Sequence, residues 1–187
     1  MPSLNRTTYK ATTYPERVLQ FGTGVLLRGL PDFYIDKANK QGVFEGSIVI
    51  VKSTDGSTDG FAAQDNLYTV AVRGMQQGES LEELTTVTAV SRVLSAQSNW
   101  KDILRIAKSN SLQVIISNTT EVGLTYVEES IFENPPRSFP GKLTAFLYER
   151  FKDVGGSRNR GLIVIPTELV TDNGLKLREM VEKLARH

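Results

Sequence analysis

No cysteine occurs among the 187 residues, and the one histidine, His187, is the last of them. The first absence excludes disulfides, metal–thiolate sites and a thiol nucleophile, and fits a cytoplasmic protein. The second leaves no Ser–His–Asp triad and no multi-histidine metal site. An excess of one charge is missing too, since 22 Lys and Arg stand against 21 Asp and Glu for a formal net charge of +1. That balance favours neither nucleic acid nor an anionic membrane as a partner. No apolar run approaches the roughly 18 residues of a membrane span, and the first residues carry no signal-type apolar core. What is present is 40% apolar and 23% charged residues, an ordinary globular balance. The length suits one domain with a substantial core.

Residues 1–16 are polar and read as a leader, with the domain itself expected over 17–187. Residues 17–21 form a short apolar strand that stops at Gly22. From 25 to 40, Leu26, Leu27, Leu30, Phe33, Tyr34 and Ala38 recur at helical spacing, with Gly42 as a stop. Pro31 falls early in that helix, where a missing N–H is cheapest to lose. Residues 47–51, "SIVIV", read as a central parallel strand. A polar loop follows, and then residues 67–73 and 84–90 read as the two arms of a hairpin around "GMQQGES". A helix is expected over 100–109, a third buried strand over 112–116, a helix over 140–152, a fourth buried strand over 162–165 and a last helix over 172–186. Solid apolar strands alternating with helices predict an α/β fold, a mainly parallel sheet covered on both faces, with the hairpin inserted.

In such sheets, ligands bind beyond the carboxyl ends of the strands. Three places qualify: the glycine-rich turn after the first strand, "SNTTE" at 117–121, and "PTE" at 166–168. In "QFGTGVLLRG", Gly22 would permit a tight turn and Gly24 would let a dinucleotide pyrophosphate approach the backbone. Phe21, Thr23 and Val25 frame that turn, and Arg28 could reach a phosphate or simply solvate the helix. The third glycine of G-x-G-x-x-G is replaced by Leu27. The same two glycines could also make a strand-to-helix turn with no ligand. The acid expected at the end of the second strand, to grip the adenosine ribose, is Lys52 here. Lys52 could favour a 2′-phosphate, or leave the ribose to Ser53, Thr54 or Asp55, so these residues do not decide NAD against NADP. Asn118, Thr119, Thr120 and Glu121 could face the nicotinamide ribose, or could cap a short turn. Glu168 could contact the ribose or a polar substrate, or serve as a first-turn acid. Asp172, Asn173 and Gly174 read as the cap of the last helix. No residue stands out as catalytic, and Lys142, just ahead of a helix, reads as a surface or phosphate-side charge.

The segments "VLQFGTGVLLRGLPDFYID", "LYTVAVRG", "VIISNTTEVGLTY", "SFPGKLTAFLYERF" and "GLIVIPTELVTDNGLKLREMV" resemble the N-terminal half of mannitol dehydrogenase family enzymes. The resemblance runs from about Arg17 to the end of the chain. It implies a Rossmann-type domain, NAD as cofactor, and hydride transfer between an alcohol and a ketone on an open-chain sugar acid. It further implies reduction of D-tagaturonate to D-altronate; fructuronate- or mannitol-type substrates, and a non-catalytic nucleotide sensor, are the alternatives. By position, Gly22, Thr23, Gly24 and Arg28 fall on the family's phosphate turn. Asn118, Thr119 and Glu121 fall on its nicotinamide-side loop, and Glu168 and Asn173 border the substrate. Polyol-specific relatives carry an amide in place of Glu168. The family's catalytic lysine, with its Asn and His partners, belongs to a second, helical domain, so the chain is expected to be the cofactor half of a longer enzyme and inactive alone.

Overall fold

The computed structural model describes residues 4–54, 58–120 and 123–186. The apolar runs form the strands of one sheet, and the central ones are buried on both faces. In chain order, strand β1 is Glu16–Phe21, β2 Ser47–Lys52, β5 Val90–Ser95, β6 Val114–Ser117 and β7 Ile163–Pro166. They lie in the order β5-β2-β1-β6-β7, every pair parallel. Alternate residues of β1 point to opposite faces. Leu19 and Phe21 join the core under helices α4 (Ala96–Ile106), α5 (Phe139–Val154) and α6 (Asn173–Leu184). Val18 joins the opposite core, which Leu27 and Phe33 close from helices α1 (Val25–Gly29) and α2 (Pro31–Lys40). The α/β expectation therefore holds, with helices on both faces. After the short helix α3 (Asp59–Ala62), the hairpin is present as strands β3 (Tyr68–Gln76) and β4 (Glu79–Val87), an antiparallel pair outside the main sheet.

Four details differ from the sequence reading. The expected helix over 25–40 is two helices, broken at Leu30, whose backbone (φ −120°, ψ −83°) is not helical. The residue before a proline is pushed out of the α region, so Pro31 starts a new helix instead of riding in the old one. The arm expected over 84–90 stops at Val87, and Val90 opens β5, a fifth parallel strand. The separation is fixed by buried Asp36, which accepts from Thr88 N at 2.7 Å and Thr88 Oγ1 at 2.9 Å and pairs with Lys40 at 2.6 Å. Residues 162–165 do not form a fully buried strand: β7 is an edge strand, with Ile163 63% and Ile165 43% exposed. The helix expected from Trp100 begins at Ala96. Residues 4–15 lie against this frame: Arg6 donates to Thr88 O and Val90 O at 3.0 and 2.8 Å, and Ser47 Oγ donates to Tyr14 O at 3.0 Å.

Two buried polar groups tie the layers together. Arg150 of α5 donates to the carbonyls of Ala107, Ser109 and Arg160 at 2.8 to 2.9 Å, satisfying loop ends on both sides of β6. On the opposite face, Asp32 of α2 accepts from Tyr68 Oη at 3.1 Å and from Gln20 Nε2 at 3.4 Å. Burial pushes the Asp32 carboxyl up to about 7, against the downward pull of Tyr68, Gln20 and the Arg28 charge. Asp32 Oδ1 and Gln20 Oε1 have no hydrogen-bond partner among the described residues. A proton on the carboxyl turns one of those acceptors into a donor.

The pKa of Asp32 in the folded chain lies above the ordinary 3.8, so folding takes up a proton between those two values. Its favourable contribution is whole below the unfolded value and is lost as pH rises through about 7. We expect the melting temperature to fall from pH 5 to pH 8 by the equivalent of roughly 3 kcal/mol at most, since within that range the loss accrues only up to about 7. Asp32→Asn should flatten that slope and raise stability at pH 8. Thermal denaturation followed by circular dichroism checks both; an equal slope in the Asn variant would refute the assignment.

Candidate active site

The carboxyl ends of β1, β2 and β6 stay joined by backbone bonds as they leave the sheet. Gly22 N donates to Val51 O at 3.0 Å, and Asn118 N donates to Phe21 O at 3.1 Å. Gly22 has φ +122°, and a Cβ there would stand 2.9 Å from the Asn118 carbonyl oxygen and 3.1 Å from Leu27 Cδ1. The close passage of β1 past β6 therefore demands glycine. Gly24 is different. Its backbone is extended (φ −65°, ψ 161°), and a Cβ there would meet nothing within 4 Å. It opens onto a cleft.

That cleft, of about 590 Å³, runs across the strand ends. Gly22, Thr23 and Gly24 form its middle, Ser53 and Thr54 the β2 side, and Asn118, Thr119 and Thr120 the β6 side. The structure thus brings the glycine turn and the "SNTT" segment onto one surface. Glu121 lies outside the described residues, as does Asp55. Phe21 is buried beneath the cleft, its ring 5.3 Å from that of Phe139. Val25 is exposed at the mouth of α1. Arg28 is not among the cleft walls: its guanidinium lies 5.9 Å over both the Phe61 and Tyr68 rings, and its carbonyl accepts from Tyr68 Oη at 3.0 Å. Lys52 Nζ folds back to donate to Thr54 O at 3.1 Å. The β2 wall is thereby left to Ser53, whose hydroxyl is buried without a partner among the described residues, and Thr54.

Glu168 and Asn173 stand one layer behind. Glu168, only 3% exposed, accepts from Thr119 N at 3.1 Å and leaves its second oxygen unpartnered among the described residues. Asn173 Nδ2 donates to Pro166 O at 3.1 Å and Glu168 O at 3.0 Å, holding the turn that presents Glu168. Asn118 Nδ2 donates to Thr167 O at 2.7 Å, joining the ends of β6 and β7. The turn-capping alternative for Thr120 also holds, since its Oγ1 accepts from Gly123 N at 3.2 Å.

The fourth wall was missed by sequence reasoning. It is the start of α5, where Arg137, Ser138, Phe139 and Lys142 face the cleft. Ser138 is the N-cap, its hydroxyl accepting from Gly141 N at 3.0 Å, with Pro140 in the first turn. Glu129 completes the cap: it accepts from the Ser138 hydroxyl and from Ser138 N at 3.0 Å. A serine two residues before the proline of "SFPGK" was the available signal. Lys142 is no surface charge. It is 3% exposed, donates to Arg137 O at 2.7 Å, and has its ammonium pushed below the usual lysine range by burial, with Glu129 opposing. Lys142 stands in the first turn of α5, not ahead of the helix, and is drawn in because the helix start folds over the cleft.

With this geometry in place, similarity to known proteins is informative. Residues 16–187 match the mannitol dehydrogenase Rossmann domain. The altronate oxidoreductase of Halalkalibacterium halodurans is 44% identical over 98% of this chain and 36% of its own length. That of Bacillus subtilis is 41% identical over 97% of this chain and 38% of its own. The chain therefore spans well under half the length of these relatives. Among solved structures, mannitol 2-dehydrogenase of Pseudomonas fluorescens, in ternary complex with NAD and D-mannitol, superposes with a TM-score of 0.78. It is 18% identical and covers 100% of this chain and 40% of that one. A substrate-free D-sorbitol dehydrogenase gives 0.80, at 18% identity over 98% of this chain and 43% of that one. The sheet order, the glycine turn and the match over 16–187 agree, and the chain belongs to the mannitol dehydrogenase family, of which it contains the Rossmann domain.

Proposed function

We propose that this chain is the NAD-binding part of a sugar-acid oxidoreductase that interconverts D-tagaturonate and D-altronate. The observation that carries the reading is Gly24: nothing in the described protein requires glycine there, while a backbone that must approach a pyrophosphate does. The 41 to 44% identity to altronate oxidoreductases supports the substrate. In this reading Gly22, Thr23 and Gly24, with Val25 beside them, hold the pyrophosphate, and Phe21 backs the turn. Ser53 and Thr54 take the adenosine ribose, Lys52 shaping their loop. Asn118, Thr119 and Glu121 take the nicotinamide half. Glu168, kept in place by Asn173, sets Thr119 and borders the substrate. Arg28 keeps a supporting part, through Tyr68, rather than a phosphate contact.

The donor set fits such a cofactor: an open glycine, hydroxyls on the β2 side, and an amide and hydroxyl on the β6 side. A bound nicotinamide would supply the hydride for reduction of the ketone, or accept it in the reverse direction. This chain's own residues bind and orient it, and the β6 loop sets one wall for the sugar acid. The accompanying proton is assigned to a second domain of the longer protein, a reading supported by the 36 to 38% share of the relatives that this chain spans.

Four measurements test the proposal. The chain should bind NADH, read by nucleotide fluorescence or calorimetry, and Gly24→Val should abolish that binding while shifting stability by no more than about 0.5 kcal/mol. Unchanged affinity would remove the phosphate-turn assignment. Gly22→Ala, by contrast, should destabilise the fold by roughly 1–3 kcal/mol, because it strains both φ and the Asn118 contact. NAD should bind more tightly than NADP, with Lys52→Asp widening the difference; an NADP preference in the unmutated chain would overturn the cofactor choice. Residues 1–187 alone should show no tagaturonate-dependent NADH oxidation, and measurable turnover would place the proton donor within this chain.

A further inference from the structure

The start of α5 adds to the cleft something that dinucleotide binding does not account for. Ser53 and Thr54 follow β2, whereas α5 packs between α4, which lies against β2 and β5, and α6, which lies against β7, so Arg137 and Lys142 stand on a different wall of the cleft from the proposed adenosine ribose. Both are cations lining the same cavity. A lysine at 3% exposure is costly to bury unless its charge is used or neutralised. One Lys142 N–H is committed to Arg137 O at 2.7 Å, and among the described residues the ammonium makes no other hydrogen bond.

The acids nearby offset this pair only in part. Glu129 has no exposed side-chain surface, and its oxygens accept from the Ser138 hydroxyl, Ser138 N and Arg137 N. Its charge is thereby spread into the backbone amides of the cap. Glu133 lies 3.8 Å from Arg137 but does not line the cleft. Arg137 keeps 70% of its side chain exposed, and its ion pairs to Glu133 and Glu129, at 3.8 and 4.0 Å, are too long to be hydrogen bonds. The N-terminus of the 16-residue helix α5 adds a partial positive charge to the same wall.

We propose that Lys142 and Arg137 form a carboxylate subsite that selects a sugar acid over the neutral polyol of the same skeleton. The inference rests on the proposed function for its choice of ligand; the cation pair itself rests on geometry. A buried ammonium contributes a charge-assisted hydrogen bond to a carboxylate, and a planar guanidinium can add a bidentate one. A polyol offers neither charge, so the same wall discriminates against it.

The test uses the 15N-labelled chain with saturating NADH, and D-altronate and D-altritol as probes. D-altronate should shift the amides of residues 137–142 saturably, and D-altritol should bind at least about tenfold more weakly. Lys142→Met should weaken altronate binding about tenfold or more, while Lys142→Arg should retain it within about threefold. Arg137→Gln, at an exposed position that does not threaten folding, should weaken it severalfold and decides the matter if the Met variant fails to fold. Equal binding of the two probes, or undiminished altronate binding in folded Lys142→Met or in Arg137→Gln, would overturn the subsite. Failure of NADH to bind, with the altronate response intact, would overturn the proposed function and leave the subsite standing. NADH binding without any altronate response would do the reverse.

Discussion

Two strand ends pass each other so closely at Gly22 that a single methyl group would force them apart. With φ at +122° and the Asn118 carbonyl 2.9 Å from where a Cβ would stand, β1 and β6 can leave the sheet side by side only if that residue is glycine. The cleft depends on it. The Gly22 amide is bonded to Val51 of β2, and the Asn118 amide to Phe21 of β1, so three chain segments are fixed relative to one another before any side chain is considered. From that fixed point Thr23 and Gly24 emerge over the cavity, and Asn118 and Thr119 form its next wall.

Around this point the fold spends polar groups in unusual places. Gln20, in the middle of the central strand and fully buried, reaches Gly22 O at 3.2 Å and Asp32 at 3.4 Å. Tyr68, at the base of the hairpin, bonds both Asp32 and the Arg28 carbonyl. The inserted hairpin thus reaches back to brace the helices that follow the glycine turn. On the other side Glu168 holds Thr119, and Asn173 holds Glu168. Buried hydrogen-bonded groups of this kind resist displacement because an unpaired partner would be left without water. Their consequence is a rigid rim for the cleft, which is what an orienting site requires.

How much of this was legible beforehand varies with the range of the interaction. The runs "VLQF", "SIVIV" and "VIIS" read as buried parallel strands, because apolar and β-branched residues without polar alternation are best satisfied by burial on both faces. The glycine turn followed from local chemistry as well. The run "IVIP" looked the same, yet β7 lies at the sheet edge with Ile163 and Ile165 exposed, since a neighbour's presence is not encoded in a strand's own letters. Strand β5 was lost for a related reason. Its alternation reflects an edge strand, where Arg92 turns out to meet Glu16 at 2.8 Å, and only buried Asp36, far away in sequence, marks where the hairpin stops. The resemblance to mannitol dehydrogenases pointed to residues 118–120, which do line the cleft, but not to the wall at the start of α5.

That wall shows the division most clearly. The sequence alone determined an α/β fold, a glycine turn poised after the first strand, and polar segments at the ends of two others, because strand burial and backbone sterics act within a few residues. Only the tertiary structure decided that Arg28 turns away to the Phe61 and Tyr68 rings, that Lys52 closes on its own loop, and that Lys142 is buried in the cleft. A long cationic side chain has several solvated options that local sequence does not rank. Its position is fixed by which buried carbonyls, carboxylates and rings the rest of the chain brings within reach.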